Sequence, residues 1–260
     1  MSASEKQTAE KMVLRFMSGS GGGTFAHLKR NDIGRDLLTR IQTPGLINQG
    51  SSSLCGPASL LFAYATHRPK DYVRFITSLY ESGTATLGKL KVKPGSDLRN
   101  YALPRGESPA DWIGLASIRD SENWFFDYQA TSDTAAGITM PSKLESWFKR
   151  AGYKTVKNET NVFFTKDKAC AEQANKLLAD QYNVAMFVNA NMLSAREQDN
   201  KSTFPDHWVV LTSKIMLSEK SVTFTVFTWG NPAYRVPVGK KDLSQKDFLN
   251  NFYGYVACKW

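Results

Sequence analysis

Residues 48–58 read Asn48-Gln49-Gly50-Ser51-Ser52-Ser53-Leu54-Cys55-Gly56-Pro57-Ala58 and place Cys55 at the start of an apolar helix, six positions after Gln49. The helix is predicted over residues 56–67, because proline stands in its first turn and apolar residues occur all round it, which is typical of a helix buried in a core. A helix N-terminus presents backbone N–H groups and a partial positive charge. A thiol at that point ionises more easily, so Cys55 is predicted to be a nucleophile near neutral pH.

Two further groups complete a candidate site for attack on a carbonyl group. The side-chain amide of Gln49 and the backbone N–H of Cys55 are placed to hold the oxyanion that forms when a thiolate adds to a carbonyl carbon. A proton acceptor is also needed, and His207 is the best placed of the three histidines, because it opens the apolar strand HWVVLTS after a turn-like Phe-Pro-Asp. His27 lies beside a glycine run and His67 ends a helix, so both are interpreted as surface or capping residues.

Helix patterns fill the first part of the chain and strand patterns the last part. Besides the helix after Cys55, apolar spacing and start and stop signals predict helices over residues 5–17, 69–81, 109–119, 142–152 and 167–182. Runs of β-branched and aromatic residues predict strands over residues 184–188, 207–215, 221–229, 234–238 and 253–258. This order predicts an α+β protein whose N-terminal helical half, including the nucleophile helix, packs against a C-terminal antiparallel β-sheet.

The N-terminal segment is predicted to differ from the rest of the chain. Residues 1–24 are polar and contain the run Ser18-Gly19-Ser20-Gly21-Gly22-Gly23, which has too little side-chain surface to offset the entropy lost on ordering. We expect a flexible segment with a Gly/Ser linker, in which residues 5–17 form a short helix. Residues 25–260 are expected to form one domain.

Composition and charge exclude several classes of protein. The 260 residues are 42% hydrophobic and 22% charged, which is typical of a globular protein and excludes disorder over most of the length. The 3 cysteines are too few for a disulfide scaffold, and neither a membrane span nor a secretory signal peptide is predicted. The net charge of +9 permits an acidic partner, but no nucleic-acid motif accompanies it.

Residues 49–65 and 207–232 resemble the papain-like cysteine peptidases in their broad bacterial sense. The shared features are the glutamine-to-cysteine interval, the Cys-Gly-Pro helix start, the His-Trp-Val-Val strand and the later Thr-Trp-Gly. His207 follows Cys55 by 152 positions, which is close to the interval of about 130–150 residues between the catalytic cysteine and histidine of such enzymes. The resemblance implies a papain-like fold in which Cys55 attacks a carbonyl, His207 transfers the proton and Gln49 helps to bind the oxyanion.

The third catalytic member departs from the family pattern. In papain-like enzymes an asparagine two residues before a Trp-Gly accepts a hydrogen bond from the histidine and fixes its tautomer. That position here is Phe227, whose side chain has no polar atom. Asn231, just after Trp229-Gly230 and followed by proline, is favoured instead, since related bacterial peptidases use Asp or Asn before proline. Asp206 and the hydroxyl of Thr228 are the other candidates for this orienting role. A Cys-His dyad with an unconventional orienting group is a further alternative.

The likeness is closer to bacterial toxin, effector and bacteriocin-processing peptidases than to plant or lysosomal enzymes, which carry a Cys-Gly-Ser-Cys-Trp signature. It implies a thiol protease that cleaves a protein in a target cell, with glycine-containing sites suggested by the bacteriocin-processing relatives. It also implies an immunity or inhibitor protein as partner and no metal or organic cofactor. The protein is expected in the cytoplasm of the producer, or in a target cell after delivery by a specialised secretion system.

Other functions use the same residues. A deamidase or transglutaminase-type enzyme would use the same thioester, and a peptidoglycan amidase would suit a basic protein at an anionic wall. A catalytically silent papain-like module would bind a partner through its basic surface, with Phe227 marking a decayed triad. Cys170 and Cys258 are interpreted as packing residues, and no cysteine or histidine spacing predicts a zinc site.

Overall fold

The chain combines α-helices with an antiparallel β-sheet, as a computed structural model shows for residues 3–50, 52–103, 106–123, 138–193, 204–239 and 242–260. The predicted α+β class is therefore confirmed. Contacts between Cα atoms divide the chain into two units. The first unit consists of Met1–Ser132 with Arg150–Gly152, and the second of Asp133–Lys149 with Tyr153–Trp260.

The first unit is mainly helical, and its core surrounds the helix that begins at Cys55. This helix, α3, is buried along most of its length and contacts its neighbours α2, α4 and α6. A helix that is apolar on all sides is stable only when other elements cover it, and ten of the thirteen residues of α3 are buried. The described elements of the unit are α1 (Ala3–Met17), α2 (Arg30–Gln42), a 3-10 helix (Pro44–Leu46), α3 (Cys55–His67), α4 (Pro69–Ser82), β1 (Ala85–Leu87), β2 (Leu90–Val92), α5 (Ser96–Arg99) and α6 (Pro109–Asn123).

The N-terminal segment contains a packed helix where a flexible segment is expected over residues 1–24. Helix α1 contacts α2 and α4, and it buries Ala9, Val13 and Phe16. These three residues recur at helical spacing, so they form one apolar stripe in an otherwise polar sequence. The low mean hydropathy of the segment conceals this stripe, because most of the remaining residues of the helix are polar or charged.

The second unit is built on an antiparallel sheet whose described strands follow the order β3-β9-β4-β5-β7-β6, with β8 also paired to β7. Helix α8 contacts β4 and β9, and its N-terminus is capped by the predicted residue Asp167, whose carboxylate accepts the N–H of Cys170 at 2.9 Å. The described elements are α7 (Pro141–Arg150, whose last residue belongs to the first unit), β3 (Thr155–Asn158), α8 (Lys168–Ala179), β4 (Asn183–Val188), a 3-10 helix (Ala190–Leu193), β5 (His207–Leu211), β6 (Met216–Leu217), β7 (Val222–Thr228), β8 (Asn231–Val236), α9 (Gln245–Asn250) and β9 (Phe252–Lys259).

The predicted strands of the second unit are all present, with different ends. The strand predicted over residues 207–215 ends at Leu211, because the N–H groups of Thr212 and Ser213 both turn to the carbonyl of Thr225. None of the helices in the described ranges is long and apolar enough to cross a bilayer.

Candidate active site

Cys55 is the first residue of α3 and is 3% exposed. The residue before it, Leu54, occupies the N-cap position with an apolar side chain, which cannot accept a hydrogen bond from the first turn. Pro57 lacks an N–H group and so needs no partner there. The start of α3 is therefore not capped by the side chain that precedes it, and the positive end of the helix dipole lies at the residue that carries the thiol.

The loop before α3 is fixed by hydrogen bonds around Gln49, which is 8% exposed. Its Nε2 donates to the carbonyl oxygen of Ser52 at 2.9 Å, and the N–H of Ser52 donates back to the Gln49 carbonyl at 3.2 Å. Gly50 has a φ of 60°, a left-handed conformation that glycine adopts without strain. A glutamine amide carries two N–H bonds, so one of them remains for another acceptor after the bond to Ser52.

His207 is the first residue of β5, and its ring is held by a hydroxyl group. The His207 Nε2 lies 2.8 Å from Thr228 Oγ1 at the end of β7, and the two residues are 5% and 3% exposed. No other hydrogen bond to the ring is found within the described part of the chain. With Nε2 engaged by the hydroxyl, Nδ1 is the ring nitrogen available to a second group.

Trp229 covers one face of the imidazole. The two rings are stacked, with centroids 4.6 Å apart and an interplanar angle of 16°. Trp229 and Gly230 have φ values of 45° and 71°, and Thr228 pairs with Asn231. Two consecutive residues with positive φ form the type I′ turn of a two-residue hairpin. This turn directs the indole back over His207, although Trp229 itself is 36% exposed and is not a core residue.

The structure brings Thr228, and not the favoured Asn231, to the His207 ring. The side chain of Asn231 is exposed, and its Oδ1 accepts the N–H of Ala233 at 3.0 Å. The turn after Thr228 is so short that Asn231 already belongs to β8. Asp206, the other candidate, accepts the N–H of Ala190 at 2.6 Å through its carboxylate. Of the three proposed orienting groups, the Thr228 hydroxyl alone contacts the imidazole in the described residues.

Burial lowers the pKa of His207 from 6.5 to about 4. The cause is desolvation, since a charged imidazolium loses its hydration in this buried position. The ring is therefore neutral at pH 7. A neutral imidazole has one donor and one acceptor nitrogen, and if the Thr228 oxygen accepts the Nε2–H bond, Nδ1 has a lone pair for a proton.

The lowered pKa predicts that the protein loses stability in mild acid. Well above pH 6.5 the ring is neutral in both the folded and the unfolded chain. As the pH falls from 6.5 towards 4, the unfolded chain takes up a proton that the folded chain does not. The free energy of unfolding should therefore fall by about 2 kcal/mol at pH 5 through this group. Urea unfolding of the wild type and of His207→Gln at pH 7 and pH 5 measures it, and an equal acid loss in both proteins would contradict the assignment.

The other histidines and cysteines lie in structural positions. The Nδ1 of His67 is 3.0 Å from the carbonyl of Ala63 in the last turn of α3, and His27 is exposed. None of the three cysteines is in a disulfide. Burial raises the pKa of Cys170 to about 11 and that of Cys258 well above its ordinary value, so both thiols are protonated at neutral pH.

Cys55 and Gln49 belong to the first unit, and His207, Thr228 and Trp229 belong to the second. Among the described residues, no group of three or more His, Cys, Asp or Glu side chains is arranged to hold a metal ion. Comparisons of the chain with protein-family models, with curated proteins and with solved structures find no match.

Proposed function

We propose that the protein is a papain-like thiol hydrolase that cleaves a peptide or isopeptide bond, with Cys55 as nucleophile and His207 as general base. The observation that supports this most is the hydrogen bond between His207 Nε2 and Thr228 Oγ1 beneath the stacked Trp229 ring. With its proton on Nε2, a buried imidazole held in this way has a lone pair at Nδ1, and proton transfer from a thiol requires such a lone pair.

The proposed reaction has two stages. In the first, the Sγ of Cys55 forms a bond to the substrate carbonyl carbon while its proton passes to Nδ1 of His207. The remaining N–H of the Gln49 amide and the backbone N–H of Cys55 donate to the oxyanion. Breakage of the C–N bond then releases the amine, which takes the proton from His207. In the second, water attacks the thioester with His207 as base, and the carboxylic acid and the thiol are released.

Thr228 takes the orienting position in this proposal, in place of Asn231. The proposed base carries its proton on Nε2, and the Thr228 oxygen accepts that N–H bond and so holds the ring in place. A hydroxyl is an uncharged acceptor, as the asparagine amide of papain-like enzymes is. The absence of a polar atom on Phe227 is therefore no sign of a lost triad, because the next residue in the strand supplies the acceptor.

A protein substrate with small residues at the cleavage site is proposed from the resemblance to bacteriocin-processing peptidases. A toxin or effector role, with an immunity protein as partner, rests on the same resemblance. Transfer to an amine and deamidation proceed through the same thioester. They are distinguished by the product, which is a new N-terminus for hydrolysis, a cross-link for transfer and ammonia for deamidation.

The reactivity of Cys55 tests the proposal without knowledge of the substrate. We expect iodoacetamide near pH 7 to alkylate Cys55 faster than Cys170 or Cys258, because burial keeps the latter two thiols protonated. Peptide mass mapping after timed quenching gives the three rates in one sample. The His207→Ala variant should slow the alkylation of Cys55 and leave that of Cys170 unchanged.

Two outcomes would contradict the proposal. The first is alkylation of Cys55 at no more than the rate of Cys170, and the second is a Cys55 rate that does not respond to His207→Ala. Either would favour the silent binding module, in which Cys55 is a small buried residue.

A further inference from the structure

A buried ion pair lies directly behind the loop that carries Gln49. Asp111, on α6, is 2% exposed, and the guanidinium of Arg40, on α2, approaches it with Nη2 at 2.6 Å and Nε at 3.3 Å. This is the two-pronged arrangement that orients both partners. A buried ion pair of this kind is often no more stabilising than two apolar side chains of similar size.

The carboxylate of Asp111 also binds the loop itself. Its Oδ2 accepts the backbone N–H of Asn48 at 2.9 Å, and Asn48 immediately precedes Gln49. The Oδ1 of Asn48 in turn accepts the N–H of Gly50 at 3.0 Å. The main chain on both sides of Gln49 is therefore fixed by one connected set of hydrogen bonds that starts at Asp111.

The main chain of Asp111 is held at the start of its own helix as well. The N–H of Asp111 donates to Ser108 Oγ at 3.2 Å, and that hydroxyl donates to Asp36 Oδ2 at 2.7 Å. The same Asp36 oxygen accepts the N–H of Ala110 at 3.2 Å. These hydrogen bonds link the start of α6 to α2. They fix the position of Asp111 relative to the backbone N–H of Asn48. Rigid support of this kind fixes a neighbouring group to within a fraction of an ångström.

We propose that Asp111 is a positioning residue for the oxyanion-binding group. It fixes Asn48 and thereby the Gln49 amide, while Arg40 keeps its carboxylate charged and oriented. The inference rests on the proposed function, because it assigns Gln49 a part in that reaction. It predicts that loss of the Asp111 acceptor impairs acylation of Cys55 at a carbonyl and leaves the thiol itself unaffected.

Two reagents separate these effects. Acylation by p-nitrophenyl acetate forms the S–C bond through an oxyanion and expels p-nitrophenolate, while the thiol proton passes to His207. Alkylation by iodoacetamide displaces iodide at a saturated carbon and forms no oxyanion. A change at Gln49 should therefore slow the first reaction and spare the second.

The test uses the full chain with the ion pair replaced as a whole, so that no unpaired charge is left buried. In Arg40→Met/Asp111→Leu the acceptor for Asn48 is lost, whereas in Arg40→Met/Asp111→Asn an amide oxygen still accepts that N–H. We expect the first variant to acylate about ten- to a hundredfold more slowly than the wild type. The second variant should stay within about threefold, and both should be alkylated at the wild-type rate. Arg40→Met/Asp111→Ala serves as a second acceptor-free variant if the leucine protein does not fold.

A double-mutant cycle with Gln49→Ala shows whether Asp111 acts through Gln49. If it does, adding Gln49→Ala to the acceptor-free variant causes no further loss of acylation rate. Independent, multiplying losses would overturn the inference, as would wild-type acylation in the acceptor-free variant or an equal fall in alkylation. A wild type that acylates no faster than Cys55→Ala would instead refute the proposed function itself.

Discussion

Cys55→Ala and His207→Ala are each expected to lower the rate of substrate cleavage by at least about 10³-fold. In the proposed mechanism, removal of Cys55 takes away the atom that forms the thioester, and removal of His207 leaves the thiol without a proton acceptor. Residues that act as one unit give non-additive losses, so Cys55→Ala/His207→Ala should be no slower than the slower single variant. The measurement is the release of p-nitrophenolate from p-nitrophenyl acetate, and of new N-termini in cells that produce the protein.

Cys170→Ala provides the matched control for this prediction. Cys170 lies on α8, and its thiol pKa is raised by burial, so its loss should leave the cleavage rate unchanged. Cleavage that persists in Cys55→Ala would refute the mechanism. Loss of a biological effect in Cys55→Ala and His207→Ala, with wild-type unfolding curves, would exclude a role by binding alone.

Thr228→Val is expected to be the second most damaging substitution. Valine keeps the shape of threonine but removes the hydroxyl, so Nε2 of His207 is left buried without its partner and the imidazole is free to take the wrong tautomer. Loss of a buried hydrogen bond costs about 1–3 kcal/mol, which corresponds to a fall in rate of roughly 5- to 150-fold. Initial rates against pH, together with urea unfolding, separate the effect on the reaction from any effect on stability.

Two other variants make the Thr228 prediction specific. Thr228→Ser retains the hydroxyl and should keep most of the activity. Asn231→Ala should be near the wild type, because the Asn231 side chain binds the N–H of Ala233 in an exposed turn. A large loss in Asn231→Ala with little loss in Thr228→Val would show that Asn231 orients the imidazole during the reaction.

Local patterns in the sequence predict most of the secondary structure around these residues. The helix after Cys55 follows from Pro57 and the continuous apolar run, and the observed α3 differs by one residue at its start. The strands of the second unit follow from their β-branched and aromatic residues. Helix α2 is not among the predicted helices, although its apolar spacing could have predicted it. Ile33, Leu37 and Ile41 are buried at intervals of one turn in an otherwise polar sequence.

The residue that is hydrogen-bonded to the His207 ring could not be chosen from sequence, because the geometry of the following turn decides it. A tryptophan with positive φ is uncommon, and nothing in the order of residues around Trp229-Gly230 indicates it. With that turn, Thr228 ends one strand beside His207 and Asn231 begins the next. The partners of Asp111 were equally hidden, because Arg40 and Asn48 lie 71 and 63 positions away and no local pattern joins them.

Helix α1 changes how the protein can be shortened for laboratory work. A cut at the glycine run, within the segment that composition predicts to be flexible, would remove Ala9, Val13 and Phe16 from the core of the first unit. The apolar surfaces of α2 and α4 that these residues cover would then be exposed to solvent. We expect the shortened protein to aggregate during purification. Shortened variants should therefore keep α1, and the glycine run is the connection between this packed helix and the rest of the first unit.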